Sequence, residues 1–302
     1  MTTPISRVLV LGHEGFIGRR VWAAFAECSP EAKLVGRSHP AFDLTDRADA
    51  AKLVELVDEE TAVVVLSGIK RQLGDTLDIF EKNMAMVVNL CRVLEKRPAA
   101  RVVYFSSAAV YGEEIYNLSI TEETPVRPST NYGIAKYACE RLLDKVAQQS
   151  GQGSLVVLRP PVVYGPGDVT RTYGPSGFAH AAAAGEKVVL WGDGSELREF
   201  VFVDDVSEVV RRLTFGDFDG VVNLVTGTSR SFREVLDIAV GLAPDPFEVD
   251  HRARTKDKVD HVFTGGLCAR LVAGFEFTSL EEGMARTFEA EREGALVAGK
   301  RA

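Results

Sequence analysis

Near its amino terminus the chain reads Arg7-Val8-Leu9-Val10-Leu11-Gly12-His13-Glu14-Gly15-Phe16-Ile17-Gly18, and this stretch decides the fold. The apolar run up to Leu11 predicts a buried strand, and the pattern after Gly18 predicts a helix. Glycines at a strand-to-helix turn let the backbone approach a pyrophosphate, whose charge is met by the N–H groups and the dipole of the helix start. An ordinary tight turn is the alternative. We expect a dinucleotide phosphate loop built from Gly12, Gly15, Phe16, Ile17 and Gly18.

Strands and helices continue to alternate as far as residue 160, which predicts an α/β fold with a doubly wound parallel sheet of the Rossmann type. Beyond that point the pattern loosens and predicts a smaller, mixed α/β lobe at the carboxyl terminus. We expect a dinucleotide-binding domain over residues 1–165, joined by strand and helix contributions around 200–225. Residues 166–302 are expected to form mainly a substrate-binding lobe.

The second predicted strand ends in Arg37-Ser38, where an NAD-binding domain usually carries an acid for the ribose 2′-hydroxyl. Arginine at this place favours the 2′-phosphate of NADP, whereas Glu14 in the phosphate loop would repel it if it points that way. NADP(H) is therefore the expected cofactor and NAD(H) the alternative, with Arg37 as a solvated surface charge in the second case. Other expected cofactor contacts come from the ends of the next elements: Ser38, Asp43, Leu44, Ser67, Gly68 and Asn83.

Ser106 and Ser107 follow the apolar run 101–105, and Tyr132 and Lys136 lie four residues apart in a predicted helix. Residues at this spacing project from one helix face, and an ammonium one turn away favours the phenolate and lowers the pKa of a tyrosine. A serine hydroxyl opposite can hold the substrate oxygen whose proton moves with a hydride. The pattern predicts redox catalysis between carbinol and carbonyl by Ser107, Tyr132 and Lys136. A simple surface pair of Tyr132 and Lys136 is the alternative for these two residues alone.

The composition excludes several classes of protein. Hydrophobic residues make up 46% of 302, which is enough for a large core and excludes a disordered or fibrous chain. A net charge of −8 without basic runs argues against nucleic acid and anionic membranes as partners. The four cysteines lack metal-ligand spacing, so we expect reduced packing residues and no metal.

Location and assembly are also expected from the pattern. Residues 1–4 lead directly into a strand, with no signal peptide and no apolar run long enough to cross a membrane, so a soluble, cytoplasmic protein is expected. The helix around Asn83 and the helix of Tyr132 each carry an apolar face. These faces predict a homodimer bundle, and cover within the monomer is the alternative.

Five motifs together resemble the extended short-chain dehydrogenase/reductase family, in its branch of nucleotide-sugar epimerases, dehydratases and ketoreductases. They are the glycine triplet 12–18, SSxxVYG at 106–112, YxxxK at 132–136, RPxxVYGPG at 159–167 and GDGxxxREFVFVDDV at 192–206. The resemblance implies Ser107 as a catalytic residue, Tyr132 as the acid/base, and Lys136 on the nicotinamide ribose. It also implies a small-molecule nucleotide-sugar substrate, whose diphosphate and nucleotide are bound by Arg198, Arg254 and Asp257.

Departures from the family pattern narrow the expected reaction. Ala108 and Ala109 stand where sugar dehydratases have Asp-Glu, and alanine cannot transfer a proton, so dehydration is not expected. The resemblance then implies NADPH-dependent reduction of a nucleotide-activated 4-keto-6-deoxy sugar. An NAD-dependent nucleotide-sugar 4-epimerase is the alternative, and a non-catalytic dinucleotide-binding sensor or scaffold is a third. Val162 replaces a frequent phosphate-binding asparagine, which leaves smaller ketones open as substrates.

Overall fold

The computed structural model describes residues 4–150, 153–171 and 173–299, so the outermost residues of the two expected domain ranges, 1–3 and 300–302, lie outside the described residues. The strands are β1 Arg7–Leu11, β2 Lys33–Arg37, β3 Thr61–Val65, β4 Arg101–Phe105, β5 Asn117–Ile120, β6 Ser154–Arg159, β7 Val162–Tyr164, β8 Val188–Trp191, β9 Leu197–Phe202, β10 Gly220–Asn223, β11 Ser229–Ser231, β12 Val249–Arg252 and β13 His261–Phe263. The helices are α1 Phe16–Cys28, α2 Arg47–Ala51, α3 Leu77–Leu94, α4 Asn131–Ser150, α5 Pro175–Ala184, α6 Val203–Phe215, α7 Phe232–Leu242, α8 Leu267–Leu271 and α9 Leu280–Gly299.

The main sheet has six strands in the order β10-β6-β4-β3-β1-β2, and every neighbouring pair is parallel. Side chains along β1 alternate between two buried clusters, with Val8 and Val10 on one face and Leu9 and Leu11 on the other. Strands buried on both faces require near-continuous apolar runs, as the sequence provides here. The predicted doubly wound parallel α/β fold is confirmed.

The smaller lobe is built around short sheets that are separate from the main sheet. One contains β11, β9 and β7, and two further pairs join β12 to β8 and β13 to β5. A third apolar cluster, which includes Phe178, Phe202 and Phe288, packs α5, α7 and α9 around β9. The chain returns to the large sheet through α6 and β10, so residues after 165 contribute to both parts. The expected domain ranges remain a prediction.

One expectation from the sequence concerns the burial of the four cysteines. Cys91, Cys139 and Cys268 are buried, but Cys28 is exposed, so the expectation that all four cysteines are packing residues is wrong. Cys28 is the last residue of α1 and lies beyond the buried Val21 and Phe25.

Within the described ranges, no helix has both the length and the apolar character needed to cross a membrane. The homodimer remains a prediction.

Candidate active site

Two positions of the phosphate loop require glycine, Gly12 for its backbone conformation and Gly18 for lack of space. Gly12 has φ +93°, and its N–H donates to the carbonyl of Arg37 over 2.7 Å. A Cβ at Gly18 would lie 2.0 Å from the Gly12 carbonyl oxygen, so a larger residue would push the loop away from α1. Helix α1 begins without a side-chain cap and without an acidic residue in its first turn. Its N–H groups therefore fit an anion such as the pyrophosphate of a dinucleotide.

Ser107, Tyr132 and Lys136 line one cavity of about 550 Å³ together with the phosphate loop. Ser107 follows β4, where its Oγ accepts from Ala109 N over 3.1 Å and its side chain hydrogen-bonds the hydroxyl of Tyr132. The first turn of α4 is fixed by Asp75, whose Oδ1 accepts from Tyr132 N over 2.9 Å. The cavity brings together ten residues predicted from the sequence: Gly12, Gly15, Phe16, Ile17, Gly18, Gly68, Ser107, Tyr132, Lys136 and Arg198.

The pKa of Tyr132 next to Lys136 differs from the sequence-based expectation. Burial raises the pKa of Tyr132 to about 12, against an opposing effect of its hydrogen bond with Ser107. Burial also lowers the pKa of Lys136 to about 8. The Lys136 Nζ donates to the Phe105 carbonyl over 2.6 Å and lies 5.8 Å from the Tyr132 ring centroid. The expected lowering of the tyrosine pKa is therefore wrong, because desolvation outweighs the ammonium one turn away.

A stability measurement checks the buried lysine. Its pKa is lower in the folded protein than in the unfolded chain, so the unfolded chain binds more protons between about pH 8 and 10.5. Lys136 should therefore make a contribution to stability that increases with pH across this window, by at most roughly 3 kcal/mol, on top of the opposite contribution of the buried cysteines, whose pKa burial raises. We expect the free energy of unfolding of Lys136→Met, taken relative to the wild type, to fall between about pH 7.5 and about pH 10 when urea unfolding is measured at both. For Lys145→Met, at an exposed position of the same helix, the difference from the wild type should not change with pH. A pH-independent difference for Lys136→Met would contradict the assignment.

Asn83 and Ser67 were expected to contact the cofactor, and both lie beside the cavity. The side chain of Asn83 is buried; its amide donates to the Ile69 carbonyl over 3.1 Å, and its oxygen accepts from Ile69 N over 2.8 Å. These bonds hold the turn after β3, which contains Ser67 and Gly68. A Cβ at Gly68 would lie 3.3 Å from the Lys136 Nζ, so glycine keeps this wall open beside the lysine. The role of Asn83 is therefore to position the backbone of the turn after β3.

Arg37 and Ser38 lie at the carboxyl end of β2, next to the phosphate loop. The Ser38 Oγ accepts from Glu14 N over 3.0 Å and lies 2.9 Å from His13 Nδ1, so Ser38 ties the loop to β2. The Arg37 Nη1 donates to the Gly36 carbonyl over 2.8 Å. Within the described part of the chain, Arg37 forms no ion pair, and Glu14 is exposed. The arginine head group is therefore not held by a carboxylate at this edge.

Two further expected cofactor contacts, Asp43 and Leu44, have structural roles for their side chains. Leu44 is only 5% exposed and belongs to the apolar cluster under the main sheet, so its side chain does not reach the cavity. Asp43 Oδ1 accepts from Thr45 N and from the Thr45 hydroxyl over 2.8 and 2.7 Å, and these bonds lower the pKa of Asp43. The segment leads into α2, whose first turn is capped by the side chain of Asp46.

A second cavity of about 740 Å³ adjoins the first, and the two share Arg71, Glu113 and Arg198. Its wall combines charged groups with three aromatic rings, which come from Tyr173, Trp191 and Phe232. The Arg254 Nη1 donates to Glu196 Oε2 over 2.6 Å, and Arg198 Nη2 donates to the other oxygen of the same carboxylate. Asp257 lies on the exposed rim. Thus all three predicted substrate residues line this cavity.

Several cavity residues were not predicted from the sequence. Arg71 pairs with Glu113, and the Lys70-Arg71 pair after β3 was the only signal for it. His261 is buried, and burial lowers its pKa to about 4, so its ring is neutral. Glu199 is 1% exposed with a raised pKa caused by burial; its Oε1 accepts from Gly227 N over 2.6 Å, while Oε2 has no hydrogen-bond partner among the described residues. Glu199 is adjacent to Arg198 in the GDGxxxRE motif, which could have marked it.

Within residues 4–150, 153–171 and 173–299, no group of three or more His, Cys, Asp or Glu side chains is arranged to hold a metal ion. The combination of a phosphate loop on the first strand with a Ser-Tyr-Lys set in the same cavity is typical of dinucleotide-dependent enzymes of the short-chain dehydrogenase/reductase type, which include oxidoreductases and epimerases. The model of the NAD dependent epimerase/dehydratase family matches residues 8–222. The protein belongs to this family, which confirms the resemblance and the expected class of enzyme.

Individual relatives are distant but similar over most of the chain. A putative UDP-glucose 4-epimerase of Methanocaldococcus jannaschii is 25% identical over 76% of this chain and 80% of its own. A dTDP-6-deoxy-L-talose 4-dehydrogenase (NAD(P)(+)) of Kitasatospora kifunensis is 28% identical over 82% of each chain. The solved UDP-glucose 4-epimerase of Thermus thermophilus, in complex with NAD, is 25% identical with a TM-score of 0.81, over 95% of this chain and 99% of that one. These relatives include both an epimerase and an oxidoreductase.

Proposed function

We propose that this protein reduces a nucleotide-activated 4-keto-6-deoxy sugar with NADPH. The observation that carries the proposal is the continuity of the two cavities, since the Ser107-Tyr132-Lys136 set opens directly onto the wall that contains Arg198. A ketone next to the catalytic set would then belong to a molecule whose anionic part lies against the arginines. The similarity to a 6-deoxy-talose 4-dehydrogenase supports the same reaction class.

In this proposal Tyr132 is the proton donor. When bound, the dinucleotide supplies the hydride that reduces the ketone carbon. Tyr132 gives its proton to the ketone oxygen, and its raised pKa means that the hydroxyl is protonated at neutral pH, as the reduction direction requires. Ser107 hydrogen-bonds the Tyr132 hydroxyl and is assigned to the same substrate oxygen. Lys136 is assigned to the ribose, beside the glycine wall at Gly68.

The lining near the catalytic serine favours a 6-deoxy sugar. Six residues of the lining are apolar or aromatic, next to the polar side chains of Ser106 and Glu199: Ala108, Ala109, Pro161, Val162, Val163 and Phe263. Such a wall suits a methyl group better than a hydroxymethyl group, because a hydroxyl without a hydrogen-bond partner is costly to bury. At the other end, the aromatic rings and arginines of the second cavity suit a nucleoside diphosphate. A sugar joined to such a nucleotide would span both cavities.

A 4-epimerase that keeps NAD bound is the second candidate, and a specific observation favours it. Glu14 is exposed in the phosphate loop, close to the edge at which a 2′-phosphate would be bound, and like charges there would weaken NADP binding. The solved epimerase with 25% identity contains NAD. An epimerase would interconvert C4 epimers with no net consumption of NADPH.

The cofactor preference is tested by binding. If Arg37 holds a 2′-phosphate, we expect NADPH to bind about 10- to 100-fold more tightly than NADH, equivalent to roughly 1.4–2.8 kcal/mol. Arg37→Ala should reduce this ratio to near unity, whereas Arg47→Ala, an exposed arginine at the start of α2, should leave it unchanged. Fluorescence titration measures both ratios. Equal affinities in the wild type would favour the NAD-dependent epimerase.

Turnover separates the two reactions directly. The purified protein is mixed with NADPH and a panel of nucleoside-diphosphate 4-keto-6-deoxy sugars, and consumption of NADPH is followed by absorbance. The reductase predicts stoichiometric consumption with one of the substrates. Interconversion of 4-hydroxy epimers with bound NAD, and no consumption of NADPH with any ketone, would replace the proposal by the epimerase.

A further inference from the structure

One carboxylate in the second cavity neutralises two arginines at the same time. Glu196 accepts from Arg254 Nη1 over 2.6 Å through one oxygen and from Arg198 Nη2 through the other. All three side chains are largely withdrawn from solvent, with exposed fractions of 19–20%. The two guanidinium groups therefore share a single negative charge, and Glu196 occupies the position between them.

The rest of the second cavity offers no spare positive charge to an incoming anion. Its lining contains four cations and four carboxylates: Arg71, Arg198, Arg254, Lys256, Glu113, Glu114, Glu196 and Asp257. Arg71 pairs with Glu113, and Lys256 Nζ lies 2.6 Å from Glu114 Oε1. A diphosphate diester carries about two negative charges, and with Glu196 in place it would bring them to a lining whose positive and negative charges already balance.

Both arginines keep other contacts that hold them without Glu196. The Arg198 Nη1 also donates to the backbone carbonyls of Leu197, over 2.8 Å, and Val259. Arg254 packs over Gly192, where a Cβ would lie 2.4 Å from its Nε, and its Nη2 lies 3.3 Å from Asp193 Oδ1. Removing the Glu196 charge should therefore free the two guanidinium groups for another anion without dispersing them.

We propose that Glu196 is an internal anion that holds Arg198 and Arg254 in the free protein and is displaced by the diphosphate of the substrate. The backbone of Glu196 is held by a bond from Phe232 N to its carbonyl over 3.3 Å, so the exchange requires only rotation of the side chain. Glu196 thereby sets the affinity and selectivity for diphosphates. The identity of the ligand rests on the proposed function, whereas the exchange itself requires only two adjacent anionic phosphates.

The test is calorimetric titration of the full chain with inorganic pyrophosphate and with UDP. We expect Glu196→Gln to bind both ligands about 10-fold more tightly than the wild type, equivalent to about 1.4 kcal/mol. The gain should shrink as salt rises, since the removed charge is screened. Glu248→Gln removes an exposed carboxylate of the same lobe, paired with Lys187 at 3.0 Å and outside both cavities, and should stay within about 2-fold of the wild type.

Unchanged or weaker pyrophosphate binding in Glu196→Gln would overturn the proposal, because a residue that only positions the arginines would lose affinity when neutralised. The proposal would also be overturned if pyrophosphate bound neither the wild type nor Glu196→Gln. If Glu196→Gln tightens pyrophosphate binding while UDP, GDP and dTDP bind neither the wild type nor the variant, the exchange stands and the nucleotide-sugar function fails. If ketosugars are reduced while pyrophosphate affinity does not change, the function stands and the exchange fails.

Discussion

Tyr132→Phe is expected to lower kcat for ketone reduction by about 10³-fold while dinucleotide affinity stays within about 3-fold of the wild type. The change removes only the hydroxyl, which hydrogen-bonds Ser107 and is held in protonated form by burial. Without it, a ketone bound against Ser107 loses the proton donor assigned to it. Stopped-flow measurement of NADPH oxidation with the reducible ketosugar gives kcat, and fluorescence titration gives the affinity.

Tyr137→Phe provides the matched control for this prediction. Tyr137 lies five residues further along α4, packs partly buried against a separate apolar cluster and does not line the catalytic cavity. It should retain turnover within about 2-fold. If Tyr132→Phe kept most of the wild-type turnover, the tyrosine would not be the proton donor. A wild type that binds dinucleotide but turns over none of the ketones or epimers would instead favour a sensor or scaffold.

The fold was predictable because its signal is local. Strands β1 and β4 have the same bounds in the structure as in the sequence-based prediction, Arg7–Leu11 and Arg101–Phe105. Each is a short apolar run between polar or small residues, and a parallel strand covered on both faces needs such a run. The glycine turn was readable for the same reason, since the steric demand at Gly18 involves the Gly12 carbonyl only six positions earlier.

The sequence predicted those features of the site that depend on a single helix or strand. Spacing on a single helix correctly put Tyr132 and Lys136 in the same cavity, but it did not predict their protonation, which is set by desolvation from surrounding elements. Leu44 looked like a cofactor contact and lies in the core, because the side of the sheet on which it lies depends on packing against α3. The pair of Glu196 and Arg254 joins residues 58 positions apart, which no local pattern links.

A buried polar network under the catalytic set shows the same dependence on distant contacts. Arg159 Nε and Nη2 donate to both oxygens of Glu140, over 3.0 and 2.6 Å, and both residues are 4% exposed. The Glu140 carboxylate also accepts from Ser106, the neighbour of the catalytic serine, and lies one turn after Lys136 on α4. The Arg159 Nη1 donates to the Tyr111 hydroxyl over 3.0 Å. The network thereby joins the ends of β4 and β6 to α4.

Arg159→Met is expected to lower the free energy of unfolding by about 3–5 kcal/mol, because it leaves the buried Glu140 carboxylate without its counter-ion. Replacing both partners, in Glu140→Met combined with Arg159→Met, removes the uncompensated charge and should be less destabilising than the single change. The remaining cost of the double variant would come from the unpaired hydroxyl of Ser106. Urea unfolding monitored by circular dichroism gives all of these values.

The exposed pair next to this network provides the comparison. Arg141 Nη1 lies 3.1 Å from Asp144 Oδ2 on α4, and its side chain is 64% exposed. Arg141→Met should therefore cost less than about 1 kcal/mol, since solvent screens the pair. If Arg159→Met cost no more than Arg141→Met, the Glu140 carboxylate would not depend on Arg159 as its counter-ion. If Arg159→Met does not fold well enough to be measured, Arg159→Lys keeps the charge and loses the two-pronged contact, and should fall between Arg141→Met and the value expected for Arg159→Met.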